Sequence, residues 1–152
     1  MATTIELTAE HGRCIAVLIL LWIQQQLVFS VAVAFARKKT GIDAPTLYPR
    51  DSEIKKLNLS EKDVDSYMCV QRVHQNNVEF LVCFFPVALL AMIDNPTKTF
   101  YASIVVLMGR MVTALGYYRS ASKRVAGAWF HFGEYYIVYL AGKFAYKLIN
   151  EA

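Results

Sequence analysis

The chain has 152 residues, 56% of them hydrophobic and 18% charged, with a formal net charge of +4. That is the length of one domain, and it is too apolar for an ordinary soluble one. The small basic excess excludes a nucleic-acid binder, because its residues fall where membrane topology accounts for them and form no basic exposed face.

Apolar stretches of roughly 20 residues recur four times, at about 14–37, 72–93, 98–118 and 124–149, each long enough to cross a ~30 Å hydrocarbon layer. The expected fold is therefore all-α, a transmembrane four-helix bundle forming a single integral membrane domain over residues 1–152. In the first stretch Ala32-Val33-Ala34 has the form of a signal cleavage site. Glu6 and Glu10 stand where a basic cluster is needed, however, and the apolar run is long, so a retained first span is expected. Gln24, Gln25 and Gln26 are expected to hydrogen-bond within the bundle.

The connections are unequal. The first carries Arg37, Lys38, Lys39, Arg50, Lys55, Lys56 and Lys62, and the third Arg119, Lys123 and Arg124. The positive-inside rule then puts these two connections in the cytosol and both termini on the other side. Ser60-Glu61-Lys62-Asp63 has the pattern of a helix start, so the second helix is expected to begin before its membrane segment. Asn95-Pro96 marks the next turn, with Asn95 as N-cap and Pro96 in the first helical position.

The second helix holds the most informative pattern. Arg72, Asn76 and Glu79 are spaced i, i+4, i+7 and line up within about 40° of one another on a helix. Glu79 lies about 10 Å deeper than Arg72 at 1.5 Å per residue. Ionisable groups at such depth are costly without a polar partner or ligand, so the stripe points to a water-accessible site that holds something charged. Arg110 on the third stretch and Glu134 on the fourth fall at a similar depth to Glu79. A buried ionic layer joining Glu79, Arg110 and Glu134 is the expectation, with Glu134 facing a cavity as the competing reading. No His/Cys spacing indicates a metal, and Cys14, Cys69 and Cys83 read as small buried hydrophobes. The C-terminal Ile149-Asn150-Glu151-Ala152 matches no retrieval or lipidation motif.

Three motifs together carry a family resemblance. The first is Ala36-Arg37-Lys38-Lys39, followed by Pro45 and Tyr48. The second is Gln71-Arg72-Val73-His74-Gln75-Asn76-Asn77-Val78-Glu79. The third runs from Gly109-Arg110 to Gly116-Tyr117-Tyr118-Arg119-Ser120-Ala121-Ser122-Lys123-Arg124. In order and spacing they resemble the MAPEG family of membrane-associated glutathione and eicosanoid enzymes, over about residues 14–149. The resemblance implies a homotrimer of four-helix subunits in the endoplasmic reticulum (microsomal) membrane, with glutathione bound between subunits near the cytosolic face. It implies glutathione as co-substrate, no metal, and a hydrophobic electrophile or lipid hydroperoxide arriving from the bilayer.

The implied roles fit the chemistry of that ligand. Two carboxylates, an ammonium and a thiol call for guanidinium forks, a carboxylate and a cation beside sulfur. Arg37, Lys38, Arg72, His74, Asn76, Glu79 and Tyr117 match glutathione-contacting or neighbouring basic positions, although His74 is rotated about 200° from Arg72 on the helix. Arg124 matches the arginine assigned to thiolate stabilisation. On residues alone, Arg124 reads equally as a topology determinant reaching for headgroups. Thr113 and Phe80 stand where eicosanoid-specialised members carry ring side chains. The implied activity is glutathione transfer to lipophilic electrophiles, with glutathione-dependent reduction of lipid hydroperoxides beside it. A leukotriene C4 synthase-like enzyme and a non-catalytic lipid-presenting protein remain the alternatives.

Overall fold

The computed structural model describes residues 6–150. Residues 1–5 and 151–152 lie outside the described residues, and with them both ends of the expected 1–152 domain and Glu151-Ala152 of the C-terminal tetrapeptide. In chain order the elements are α1 (Ala9–Ile23), a π-helical segment (Gln24–Phe29), α2 (Ser30–Thr40), α3 (Asp51–Lys56), α4 (Glu61–Asp94), α5 (Pro96–Arg119), a 3-10 segment (Ala121–Gly127) and α6 (Phe130–Asn150). No strand occurs among the described residues.

Three rods are long and apolar enough to cross a membrane: Ala9–Thr40, Glu61–Asp94 and Pro96–Arg119. They contain the first three expected spans. α6 takes the place of the fourth but is not among them, since Glu134, Lys143 and Lys147 interrupt its apolar surface. It packs against α4 and α5, while α1 packs chiefly on α5 and α2 on α4.

Helix ends follow local chemistry. Ser60 caps α4, its Oγ accepting from the Asp63 N–H at 3.2 Å, and the helix starts well before Arg72 as the sequence indicates. Pro96 opens α5 directly after Asn95; the Asn95 amide donates to the Asp94 carboxylate instead of capping with its side chain.

The core is built from small and branched side chains that let the rods close on one another. Leu18 and Leu21 of α1, Phe84, Ala88 and Ala91 of α4, Val106 of α5 and Ile137 and Leu140 of α6 form one cluster. The outer surface is the reverse of a soluble domain's. Trp22, Leu27, Val82, Leu90, Met108 and Phe132 are all exposed, a distribution suited to lipid or to further chains rather than water.

A π-helical turn interrupts the first rod. Its wider ring turns two consecutive side chains inward, so Gln24 and Gln25 are both buried while Gln26 faces out. Gln24 Nε2 donates to the Leu107 carbonyl at 3.1 Å, and Gln25 Oε1 accepts from Asn77 Nδ2 at 2.9 Å. The glutamine triplet thus hydrogen-bonds within the bundle through its first two members.

The start of the last helix differs from expectation. Residues 121–127 form a 3-10 segment lying along α5, and α6 begins only at Phe130, so Arg124 does not open that helix. The reason is close approach. A Cβ on Gly116 would collide with the Lys123 carbonyl, and one on Gly127 with the Gly109 carbonyl and Thr113. Backbone meets backbone at both ends of the segment, which holds Arg124 at a fixed height above α5.

Candidate functional site

α4 and α5 run antiparallel, and one hydrogen bond sets their register: Arg110 Nε donates to Asn77 Oδ1 at 2.7 Å. From that pairing, residues toward the start of α4 and the end of α5 share one level, and Glu79 and Arg110 share another about two turns away. Arg72 and Tyr117 belong to the first level. Asn76 lies between.

Two adjoining cavities follow these levels. The larger, ≈ 950 Å³, is lined by Tyr48, Cys69, Arg72, Tyr117 and Arg124 among others. The smaller, ≈ 460 Å³, is lined by Arg72, Asn76, Glu79, Arg110, Tyr117 and Arg124, with Phe80, Phe130 and His131. Arg72, Tyr117 and Arg124 are common to both. The stripe Arg72-Asn76-Glu79 is exposed along its length, although the helix is embedded in the bundle on its other side.

Tyr117 is 8% exposed and packs with Phe29, Val73 and Ala114. Its hydroxyl accepts from Arg124 Nη1 at 3.2 Å, and the Arg124 guanidinium carbon stands 5.9 Å from the ring centroid. Arg124 itself is exposed. A fixed cation thus meets a buried phenol at the cavity wall. Arg72 Nη1 donates to the Tyr48 hydroxyl at 3.2 Å, and that hydroxyl donates to Gln75 Oε1 at 2.7 Å.

Arg37, Lys38 and His74 are not brought to this place. None lines either cavity. Arg37 is turned into the first connection, donating through Nη1 to the Ile42 carbonyl at 3.2 Å and through Nη2 to the Thr46 carbonyl at 2.8 Å. Its guanidinium lies 5.7 Å from the Tyr67 ring, and the Tyr67 hydroxyl donates to the same Thr46 carbonyl at 2.9 Å. Glu53 closes the loop from the other side, accepting from the Arg50 N–H at 2.9 Å and from the Thr46 hydroxyl at 3.1 Å. Those bonds hold the Glu53 carboxyl below its ordinary range. Lys38 is exposed and His74 half-buried on a different side of α4 from Arg72.

No contact ion pair closes the expected layer among the described residues, although the Glu134 carboxylate still acts electrostatically on the Arg110 guanidinium. Arg110 is bound by the neutral Asn77, and Glu134 instead accepts from His131 Nδ1 at 2.6 Å one turn along its own helix. Glu79 is exposed, and no ion pair joins it to Arg110 among the described residues. Similar depth did not become contact, because an amide one residue from the stripe already occupied the arginine. Asn77 is completely buried and bridges Gln25 to Arg110. A neutral amide carries no charge to mark it in the sequence; its position on the inward face, beside Asn76 on the outward one, is the signal that points to it. Tyr48 belongs to the first motif, but only the fold brings it to Arg72.

Among the described residues no group of histidine, cysteine, aspartate and glutamate is arranged to hold a metal ion, and the three cysteines are free. The smaller cavity brings together guanidiniums, the Glu79 carboxylate, an amide, a phenol and the His131 imidazole, and the larger adds the Glu61 and Asp65 carboxylates and the Tyr48 phenol. The MAPEG family model matches residues 15–146, nearly the whole chain and all of the cavity-lining residues named above. The chain is a member of the MAPEG family.

Proposed function

We propose that this protein is a membrane glutathione transferase, conjugating glutathione to lipophilic electrophiles. The observation that carries the reading is the convergence of Arg72, Asn76, Glu79, Tyr117 and Arg124 on one cavity. That set supplies the charges complementary to a peptide thiol with two carboxylates and one ammonium. Within the family, the Ala36–Lys39 and Gln71–Asn76 wording most resembles microsomal glutathione transferase type 3, and the Gly116–Arg124 segment equally resembles leukotriene C4 synthase.

Arg124 acts on sulfur. A free thiol has a pKa of about 8.5, and a guanidinium that brought it to about 6.5 would contribute about 2.7 kcal/mol of differential stabilisation. The thiol proton passes to water. The thiolate then forms a carbon–sulfur bond, and the displaced leaving group or opened epoxide oxygen carries away the negative charge. With a lipid hydroperoxide the thiolate attacks the terminal oxygen, releasing a lipid alcohol, and a second glutathione completes the disulfide with loss of water.

The exposed apolar faces of the rods support reading the chain as a multi-pass protein, with α6 as fourth span of a four-helix bundle and the hydrophobic substrate arriving from the bilayer. The reading includes a homotrimer in which Arg37, Lys38 and His74 of a neighbouring copy approach the cavity they do not reach in their own. It also includes the endoplasmic reticulum membrane, with the cavities towards the cytosol, as the basic connections require.

Purified protein in detergent, given glutathione and a general electrophile, should form conjugate at a rate that falls at least about 100-fold in Arg124→Ala. Glutathione binding without any conjugation, equal in both proteins, would instead favour a lipid-presenting role.

A further inference from the structure

A third cavity, ≈ 460 Å³, opens between the end of α5 and the 3-10 segment. None of the residues proposed to hold glutathione lines it; it shares Arg119 with the largest cavity and Val125 with the cavity that Glu79 lines. Its charged lining is cationic throughout. Arg119 and Lys123 stand there with the Ser122 hydroxyl, and no carboxylate is among the described residues that line it, whereas Glu61 and Asp65 line the first cavity and Glu79 the second. Among the described residues neither cation has a side-chain hydrogen bond or an ion pair. Gly116 brings the two together: the Lys123 carbonyl rests against it, and Arg119 lies one turn further along α5.

Below the cations the walls are apolar, formed by Val112 and Leu115 of α5 and by Val125 and Ala126 of the segment. Leu115 and Val125 are 53% and 68% exposed. Leu115 continues into Met108 and Tyr101, which follow at seven-residue steps on the same face and are exposed as well. From Arg119 to Met108 this stripe runs about 16 Å, the depth of one leaflet of a ~30 Å hydrocarbon layer. A basic cluster at a helix end is by itself only a topology signal. Uncompensated cations above an apolar track fit something more specific, an anionic amphiphile. We propose that this groove holds an anionic phospholipid of the cytosolic leaflet, its phosphate between Arg119 and Lys123 and one acyl chain along Leu115 and Met108. Anionic lipid is concentrated in that leaflet, and the positive-inside rule puts this connection there. A choline headgroup would set a like charge against the two cations. The lipid then packs on the segment that carries Arg124, whatever that arginine acts on.

The test is native mass spectrometry of the purified protein in a non-ionic detergent, titrated with dioleoylphosphatidylglycerol or dioleoylphosphatidylcholine. The two lipids share acyl chains and differ in headgroup charge. The wild type should bind the anionic lipid about 10- to 30-fold more tightly. A variant carrying both Arg119→Gln and Lys123→Gln should lose that preference. Ala126→Phe, which fills the groove and keeps both cations, should lose it too. A variant carrying Lys55→Gln and Lys56→Gln on α3 should retain it. Equal wild-type affinity for the two lipids overturns the inference whether or not any variant folds. So does an equal loss of preference in the Lys55 and Lys56 variant, which would mean diffuse attraction to a basic surface. Displacement of the anionic lipid by inorganic phosphate, or binding of oleate as tight as that of the phospholipid, would make the ligand a free anion or a fatty acid and overturn it as well. Each of these results leaves the transferase reading where it stands.

Discussion

Asn77 and Arg110 join α4 to α5 through a single 2.7 Å hydrogen bond in the middle of the bundle, where both side chains are buried. The same amide donates to Gln25 on the π-helical segment of the first rod. One neutral side chain therefore ties three rods together and sets which residues of α4 and α5 share a level in the cavity.

Replacing Asn77 by alanine should be severe. Interhelical hydrogen bonds in membranes average only about 0.6 kcal/mol, which alone would predict a mild effect. A hydrogen bond to a charged group contributes more, about 1.5–3 kcal/mol, and that term should prevail here. Thermal unfolding in detergent should show a large drop for Asn77→Ala, while Asn76→Ala on the exposed face should unfold almost as the wild type. Equal melting temperatures for the two variants would contradict the assignment.

Gly116→Ala tests how Arg124 is held. Its Cβ would strike the Lys123 carbonyl, displacing the 3-10 segment that carries the arginine. Because a shift of about 1 Å from productive geometry can reduce rate by about 100-fold, turnover should collapse with little change in helix content. Gly142→Ala meets nothing within 4 Å and gains about 1 kcal/mol of helix propensity, so it should be active and slightly more stable.

Glu79→Ala should weaken glutathione binding rather than turnover alone, because the proposed function gives the carboxylate the ligand's ammonium and not its sulfur. The expected loss is about 10-fold or more in affinity, read by titration of glutathione. A lower rate at saturating glutathione with unchanged affinity would assign Glu79 a different part.

Arg37 should affect the first connection before it affects the site in its own subunit. Arg37→Ala frees the Ile42 carbonyl, leaves the Thr46 carbonyl to Tyr67 alone, and should make residues 41–50 sensitive to limited proteolysis. Acid should loosen the same loop. The Glu53 carboxyl is lowered on folding, so its contribution is fully present above the ordinary carboxylate pKa of about 4.3 and is lost as pH falls through the lower folded value. Glu53→Gln should remove this acid sensitivity.

What could be read from sequence was local or periodic. Ser60 and Pro96 mark helix starts by their own chemistry, and the 3.6-residue period placed Arg72, Asn76 and Glu79 on one exposed face. What escaped depends on which groups meet. Gln24 and Gln25 both turn inward only because of a π-helical turn, which has no sequence signature. The glycines that seat residues 121–127 against α5 act through carbonyls of distant residues, so Arg124 was expected on a helix that begins six residues later. Depth alone suggested that Glu79 and Glu134 would neutralise Arg110, whereas Asn77 and His131 were the partners in reach.

Stabilisation of a glutathione thiolate by Arg124, in the cavity it shares with Arg72 and Tyr117, is the step on which the proposed reaction depends. Its most direct test is the ultraviolet thiolate absorbance of glutathione bound to the purified protein, followed against pH. The expected result is thiolate at neutral pH in the wild type, with the apparent pKa returning to about 8.5 in Arg124→Ala. Bound glutathione that stays a thiol in the wild type, or ionises equally in Arg124→Ala, would contradict it.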